Sequence, residues 1–78
     1  MSAAPERPVK HSLTLRGHRT SVSLEGEFWR AFRDIAAAQG KTINALAIEV
    51  DEARQTDIGL ASAIRVFVLT HFQSAARG

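Results

Sequence analysis

The chain has 78 residues, so it holds at most one small domain, and its 45% hydrophobic content is typical of folded rather than disordered proteins. It contains no cysteine, which excludes disulfides and thiolate metal sites. A domain this small has a marginal core, so we expect oligomerisation to add stability. The net charge is uneven, +3 over residues 1–24 and −1 over residues 25–78. The basic residues near the N-terminus form either a surface for an anionic partner or an ordinary solvated tail.

The N-terminal segment, residues 1–10, holds both prolines and small polar residues, which predicts a flexible basic arm. It lacks the apolar stretch of a signal peptide. The most apolar segment, residues 58–72, is interrupted by Arg65 and is too short to span a bilayer. The sequence therefore predicts a soluble, cytoplasmic protein with no membrane association, in which residues 11–74 form the folded domain.

Apolar and polar residues alternate from His11 to Leu24, on both sides of Gly17. This alternation predicts a strand at about residues 19–24 and a possible extra strand at about residues 12–16. The intervening "RGHR" could turn a hairpin, although it lacks the Asn-Gly or Asp-Gly pair that favours two-residue turns.

Helical periodicity follows in three segments, at about residues 25–39, 42–54 and 59–73. Ser23 is a candidate cap for the first helix and Thr42 for the second, and Gly40 suits the position just after the first helix. The third segment is apolar nearly all round, which suggests a place at the centre of an assembly larger than one chain. We expect a dimer core built from Val22, Leu24, Phe28, Phe32, Ile35, Leu46, Ile64, Phe67 and Val68.

A short strand must pair its backbone groups, and the simplest partner is the same strand of a second chain, antiparallel across a two-fold axis. On such a ribbon Val22 and Leu24 would face the helices, and Arg19, Ser21 and Ser23 would face outward. A two-stranded ribbon fits the major groove of DNA, where arginine pairs with guanine and serine hydroxyls contact either base. The alternative is an ordinary solvated strand face.

The segment "GKTIN" opens the second helix, where free backbone N–H groups and the positive end of the helix dipole favour an anion. Lys41 adds a positive charge at the same place. This start could clamp a phosphate beside the groove, or it could be a plain capped helix terminus.

Catalytic and metal signals are weak. The serines, histidines and carboxylates do not stand at the spacing of a catalytic triad, a carboxylate pair or a metal site, and no glycine-rich phosphate loop is present. We therefore expect neither an enzyme, a metal nor a cofactor.

The stretch "RTSVSLEGEFWRAFRDIAAAQGKTINALA" resembles the ribbon–helix–helix family of DNA-binding proteins, which includes the Arc-, MetJ- and CopG-type repressors, and especially its short bacterial members. The resemblance implies a mainly α fold with one short strand, in which two chains intertwine and share an intermolecular antiparallel two-stranded ribbon. An additional C-terminal helix departs from the two-helix pattern of the family. The resemblance also assigns base contacts to Arg19, Ser21 and Ser23, and phosphate contacts, mostly through backbone N–H groups, to Lys41, Thr42, Ile43 and Asn44.

The resulting hypothesis is a homodimeric, sequence-specific transcriptional regulator, most simply a repressor, whose partner is double-stranded DNA and which could assemble further on it. Lys10 and Arg16 would add phosphate contacts, so binding should weaken with salt. The competing hypothesis is a protein–protein interaction module, such as an antitoxin or adaptor, built on the same dimer.

Overall fold

The computed structural model describes residues 7–77 and shows a two-stranded antiparallel sheet followed by three helices. The strands are β1, Val9–Leu15, and β2, His18–Leu24. The helices are α1, Gly26–Ala38, α2, Ile43–Ala53, and α3, Leu60–Arg77. The expected class, a ribbon followed by two helices and an additional C-terminal helix, is confirmed.

The ribbon closes within one chain. β1 pairs with β2 along its whole length, from Val9 opposite Leu24 to Leu15 opposite His18. The connecting residues Arg16 and Gly17 both have positive φ, 52° and 81°, as in the type I′ turns that suit the twist of a hairpin. Glycine adopts this conformation without steric cost, and one non-glycine residue in it is tolerated at about 1–2 kcal/mol.

This hairpin corrects the argument that β2 has no partner in its own chain. The short turn forms without an Asn-Gly pair because Gly17 supplies one of the two positive φ angles. β1 begins at Val9, inside the segment expected to be an arm, and residues 1–6 of that expected arm lie outside the described residues. A strand of a second chain could therefore reach β2 only at its outer edge.

The alternation of both strands divides the hairpin into two faces. Leu13, Val22 and Leu24 lie on the inner face and are 2%, 4% and 0% exposed. They join α1, α2 and α3 in one core, at whose centre Phe32 and Ile64 are fully buried. The inner face therefore anchors the ribbon on the helices and leaves the other face to solvent.

The first two helices are joined by a tight glycine turn. The N–H of Lys41 donates to the carbonyl of Ala36 and the N–H of Gly40 to that of Ala37, while Gly40 has φ 68°. This is the Schellman arrangement, and it requires the left-handed conformation that glycine adopts most easily. The side chain of Thr42 then caps α2 by accepting from the N–H of Ala45 at 3.0 Å.

Two helix ends differ from the expectation. α1 is preceded by Glu25 as its N-cap, with no side-chain cap, because Ser23 is still part of β2. α3 continues to Arg77, four residues beyond the expected end, since the sequence that follows Gln73 contains good helix formers and no breaker before Gly78.

The residues expected in a dimer core lie in the core of a single chain. Phe28 and Phe67 are partly buried against that core, and the other seven are buried in it: Val22, Leu24, Phe32, Ile35, Leu46, Ile64 and Val68. Buried side chains have almost no surface left to cover with a second copy. The prediction that these residues form a dimer core would therefore require the chain to rearrange.

Candidate nucleic-acid interface

The outward face of the hairpin carries six polar side chains in two facing rows. On β2 the row is Arg19, Ser21 and Ser23, the three residues expected to contact bases, and all are exposed. The row on β1, all exposed as well, is Lys10, Ser12 and Thr14.

The strand register places these two rows directly opposite each other. Thr14 faces Arg19, Ser12 faces Ser21, and Lys10 faces Ser23. The face therefore has a positive charge at two opposite corners and hydroxyl groups between them. We call these six residues the ribbon face.

The dimensions and chemistry of the ribbon face match a DNA groove. Neighbouring strands lie about 4.8 Å apart, and the major groove is about 12 Å wide, enough to admit a two-stranded ribbon. Arginine and lysine donate to guanine, and serine and threonine hydroxyls donate to or accept from base edges. Sequence reasoning missed Ser12 and Thr14, although the alternation of Val9, His11, Leu13 and Leu15 was the signal for a strand that would expose them.

The start of α2 lies beside the outer edge of β1. The side chain of Asn44 accepts from the backbone N–H of Thr14 at 3.0 Å, which ties the helix to the ribbon. Thr42 is occupied as the cap, and Ile43 packs against the core. Of these residues, the backbone N–H groups of Ile43 and Asn44 have no acceptor within the helix, as expected for the first turn. These N–H groups are free to meet an anion, whereas the ammonium of Lys41 is directed along the helix to Glu49.

Each carboxylate of α2 is paired with a basic side chain, so the acidic end of the helix is locally neutralised. Glu49 lies 2.6 Å from Lys41, and Glu52 lies 2.9 Å from Arg16. Asp51 accepts from Arg54 at 2.7 Å.

The Arg16–Glu52 pair is exposed at both ends, and Lys41–Glu49 is at least one-third exposed at each. Exposed pairs of this kind contribute only about 0–1 kcal/mol, so a phosphate can displace either carboxylate at little cost. Lys41 and Arg16 are thus paired with the acidic residues of α2, but only weakly.

Arg65 of α3 joins the end of β2 to the start of α1. Its guanidinium donates to Glu25 Oε1 at 2.9 Å and to the carbonyl of Ser23 at 3.3 Å, and it lies 5.9 Å from the ring centre of Phe28. The hydrogen bond from Arg65 lowers the pKa of the Glu25 carboxyl below its ordinary value, and a backbone hydrogen bond and the charge of Arg65 act in the same direction. Nothing in the sequence indicated this role, because the three partners of Arg65 lie about 40 positions away.

Trp29 and His11 pack face to face, with ring centres 4.0 Å apart and planes inclined by 7°. Trp29 also contacts Phe32 at a centroid distance of 6.5 Å. The tryptophan thus packs α1 against the hairpin.

Other kinds of site have little support in residues 7–77. Within that range no three histidine or carboxylate side chains are grouped as metal ligands. Across the same residues, no helix has the length and apolar character needed to cross a membrane.

The family model of the ribbon-helix-helix domain matches residues 8–72 of the chain. The match begins just before β1 and extends into α3, so it covers the hairpin and the first two helices completely. The chain belongs to the ribbon-helix-helix family. No curated protein and no solved structure matches it significantly.

A titration tests the junction that Arg65 makes. We expect Arg65→Gln to raise the pKa of Glu25 toward its ordinary value, because the charged hydrogen bond is lost. A carboxyl whose folded pKa is lowered adds stability above its unfolded pKa and loses it as the pH falls through the folded pKa. The stability difference between wild type and variant should therefore be largest near neutral pH and shrink on acidification.

The measurement is an NMR pH titration of the Glu25 side-chain carbon, combined with urea unfolding at neutral and acidic pH. Arg77→Gln, at the far end of the same helix, is the matched control and should leave the Glu25 pKa unchanged. An unchanged Glu25 pKa in Arg65→Gln would contradict the assigned contact.

Proposed function

We propose that the chain is a sequence-specific DNA-binding regulator of transcription, acting as a repressor by placing the ribbon face in the major groove. The observation that carries this proposal is the ribbon face, whose two polar rows have a basic side chain at each of two opposite corners. The apolar face on the other side of the hairpin packs on the helices and fixes its orientation. Membership of the ribbon-helix-helix family supports the same function. A regulator of this kind acts by binding rather than by catalysis, and it works in the cytoplasm of a bacterial cell, where the DNA lies.

The roles within the interface follow from position. Arg19, Ser21 and Ser23 contact base edges, since they stand on the exposed side of β2. Lys41 and the first N–H groups of α2, at Ile43 and Asn44, contact a phosphate beside the groove. The remaining phosphate-contacting positions proposed from the sequence are Thr42, Lys10 and Arg16.

The protein would work as a homodimer. The family generally forms dimers, and α3 exposes Val66, Leu69 and Phe72, which are 61%, 54% and 50% exposed. These three side chains stand at spacings of three residues and form an uncharged strip on one side of the helix. A second copy suits this strip because two identical apolar strips bury each other across a two-fold axis. The same strip gives the competing hypothesis of a protein-interaction module its best support, with a different protein as the occupant.

Selection of bound DNA from a random pool tests the function. We expect wild type to enrich a defined sequence, with affinity that falls steeply with salt because cations neutralise phosphates. Arg19→Ala should weaken binding to the selected site by about 1–3 kcal/mol and relax preference at one position. Lys41→Ala should weaken all sequences nearly equally and reduce the salt slope by about one.

Arg33→Ala removes an exposed basic side chain from α1 and so controls for the loss of charge alone. It should change neither the affinity for the selected site nor the salt slope much. Failure of wild type to enrich any sequence at low salt would overturn the proposed function. Equal effects of the Arg19 and Lys41 substitutions on selected and random DNA would overturn the division of roles.

Light scattering or analytical ultracentrifugation tests the dimer. Leu69→Glu places a charge in the middle of the apolar strip, so we expect the dimer dissociation constant to rise at least about tenfold. Ser74→Glu, at an exposed position further round the same helix, adds the same charge outside the strip and should dimerise like wild type. A monomeric wild-type protein at micromolar concentration would contradict this use of α3 and would favour a different protein as the occupant of the strip.

A further inference from the structure

The exposed side of α3 carries a regular row of uncharged residues. Their positions are separated alternately by four and three residues along the helix, and all five are exposed: Ser62, Val66, Leu69, Gln73 and Ala76. We call these five residues the α3 stripe. Phe72, which is also exposed, borders it. Alternating spacings of four and three keep side chains on one line along a helix, and this is the pattern by which two helices pack lengthwise.

α3 has apolar side chains on two opposite sides. Ile64 and Val68 are buried in the core of their own chain, whereas Val66 and Leu69 are more than half exposed. A helix that is apolar on both sides normally packs between two neighbours. The core of the chain is one neighbour of α3, and the α3 stripe is suited to a second one.

The order of side chains makes the α3 stripe complementary to itself in the antiparallel direction. If a two-fold axis passes by Leu69, each residue before Leu69 in one copy lies opposite the residue equally far after it in the other. Leu69 then faces its own copy, and Val66 faces Phe72. Ser62 faces Ala76. Large apolar side chains thus meet in the middle, and small side chains meet at the ends, where they let the two helices approach closely.

Charges at the two ends of α3 favour the same direction. Asp57 lies in the turn before α3, and Arg77 is the last residue of the helix. Both are exposed, and within residues 7–77 the side chain of neither forms an ion pair or a hydrogen bond. An antiparallel copy brings each Arg77 beside the start of the other α3, where Asp57 stands. A parallel copy would bring like charges together at both ends, which is unfavourable.

We propose that α3 pairs with α3 of a second copy of the chain, antiparallel and centred on Leu69, with Arg77 of each copy paired to Asp57 of the other. This inference rests on the homodimer of the proposed function and adds the direction, the register and the ion pairs of the contact. The contact uses no residue of β1 or β2, so it is additional to any pairing of strands between chains. One pair of helices buries less than a standard interface, so we expect association in the micromolar range.

Cysteine crosslinking tests the direction and the register. The chain contains no cysteine, so an introduced thiol can react only with its counterpart in another copy. Ser62→Cys and Ala76→Cys each place one thiol at an exposed position. Residues that face each other across the pair come within disulfide distance, with Cα atoms about 4.4–6.8 Å apart. Mild oxidation of an equimolar mixture should therefore give the mixed disulfide as the main crosslinked product.

Each variant alone should remain largely uncrosslinked, because an antiparallel pair holds its two identical positions far apart. Intact mass spectrometry separates the mixed disulfide from the two self-disulfides, since the two variants differ in mass. Ser74→Cys is the matched control, because it places a thiol at an exposed position of α3 outside the α3 stripe. It should crosslink with Ser62→Cys far less than Ala76→Cys does.

Charge reversal tests the ion pairs. Asp57→Arg and Arg77→Asp should each raise the Kd of the contact roughly three- to thirtyfold, because each turns two attractive pairs per dimer into repulsive ones. The variant with both substitutions again has opposite charges across the contact and should associate nearly like wild type. Asp34→Arg makes the same charge change at an exposed position of α1 and should leave the Kd unchanged. Analytical ultracentrifugation gives the Kd, and circular dichroism verifies that each variant is folded.

The outcomes separate this inference from the proposed function. The mixed disulfide, together with restored association in the doubly substituted variant, supports the inference. Preferential self-crosslinking of Ser62→Cys would show parallel helices, and crosslinking no greater than that of Ser74→Cys would show that no second copy covers the α3 stripe. Either result overturns the inference. None of the substituted residues belongs to the ribbon face, so a protein that fails these tests and still selects a DNA sequence keeps the proposed function without this contact.

Discussion

The need of a short strand to satisfy its backbone hydrogen bonds is the constraint on which the rest of the structure depends. β2 meets it by pairing with β1 through a two-residue turn at Arg16 and Gly17. Once the strands are paired, their alternation sends one set of side chains into the core and the opposite set to solvent. The core contacts of Leu13, Val22 and Leu24 hold the ribbon on the helices. The orientation of the ribbon face is therefore a consequence of core packing.

The helices contribute to the candidate interface in two further ways. They hold the edges of the hairpin through Asn44 and Arg65, whose side chains bond to backbone groups of Thr14 and Ser23. α2 also places carboxylates against Lys41 and Arg16. Exposed ion pairs are weak in water, so both cations can exchange these carboxylates for another anion at little cost. The third helix contributes a buried side that completes the core and an exposed apolar strip suited to a second chain.

Periodicity and capping chemistry were enough to predict much of this fold from the sequence. The helices follow from their apolar spacing, and Gly40 and Thr42 mark the turn between α1 and α2 because their roles are local. The hairpin was harder, since the turn lacks the usual Asn-Gly pair and Val9 follows a proline that suggested an arm. The partner of β2 therefore depends on a turn whose sequence signal is weak.

In the candidate site, too, the local features could be predicted from the sequence and the long-range ones could not. The outward position of Arg19, Ser21 and Ser23 depends only on alternation within one strand, so the sequence was sufficient to predict it. The facing row on β1 depends on the register between two strands, and the contact between Arg65 and Glu25 joins residues 40 positions apart. Register and long-range contacts are set by packing of the whole chain, so no local pattern indicated them.

The central claim, that the ribbon closes within one chain, is tested most directly by isotope-filtered NMR on an equimolar mixture of labelled and unlabelled protein. Ser12 and Ser21 face each other without hydrogen bonds between them, because the N–H of Thr14, two residues along β1, points away from β2 to Asn44. The Cα atoms of such a pair are only about 4.5 Å apart, so their Hα protons should give a strong nuclear Overhauser effect. We predict that this signal arises within single chains and is absent from the spectrum filtered for contacts between chains. A strong interchain signal between Ser21 and Ser21 of a second copy, with no intrachain signal between Ser12 and Ser21, would contradict the account.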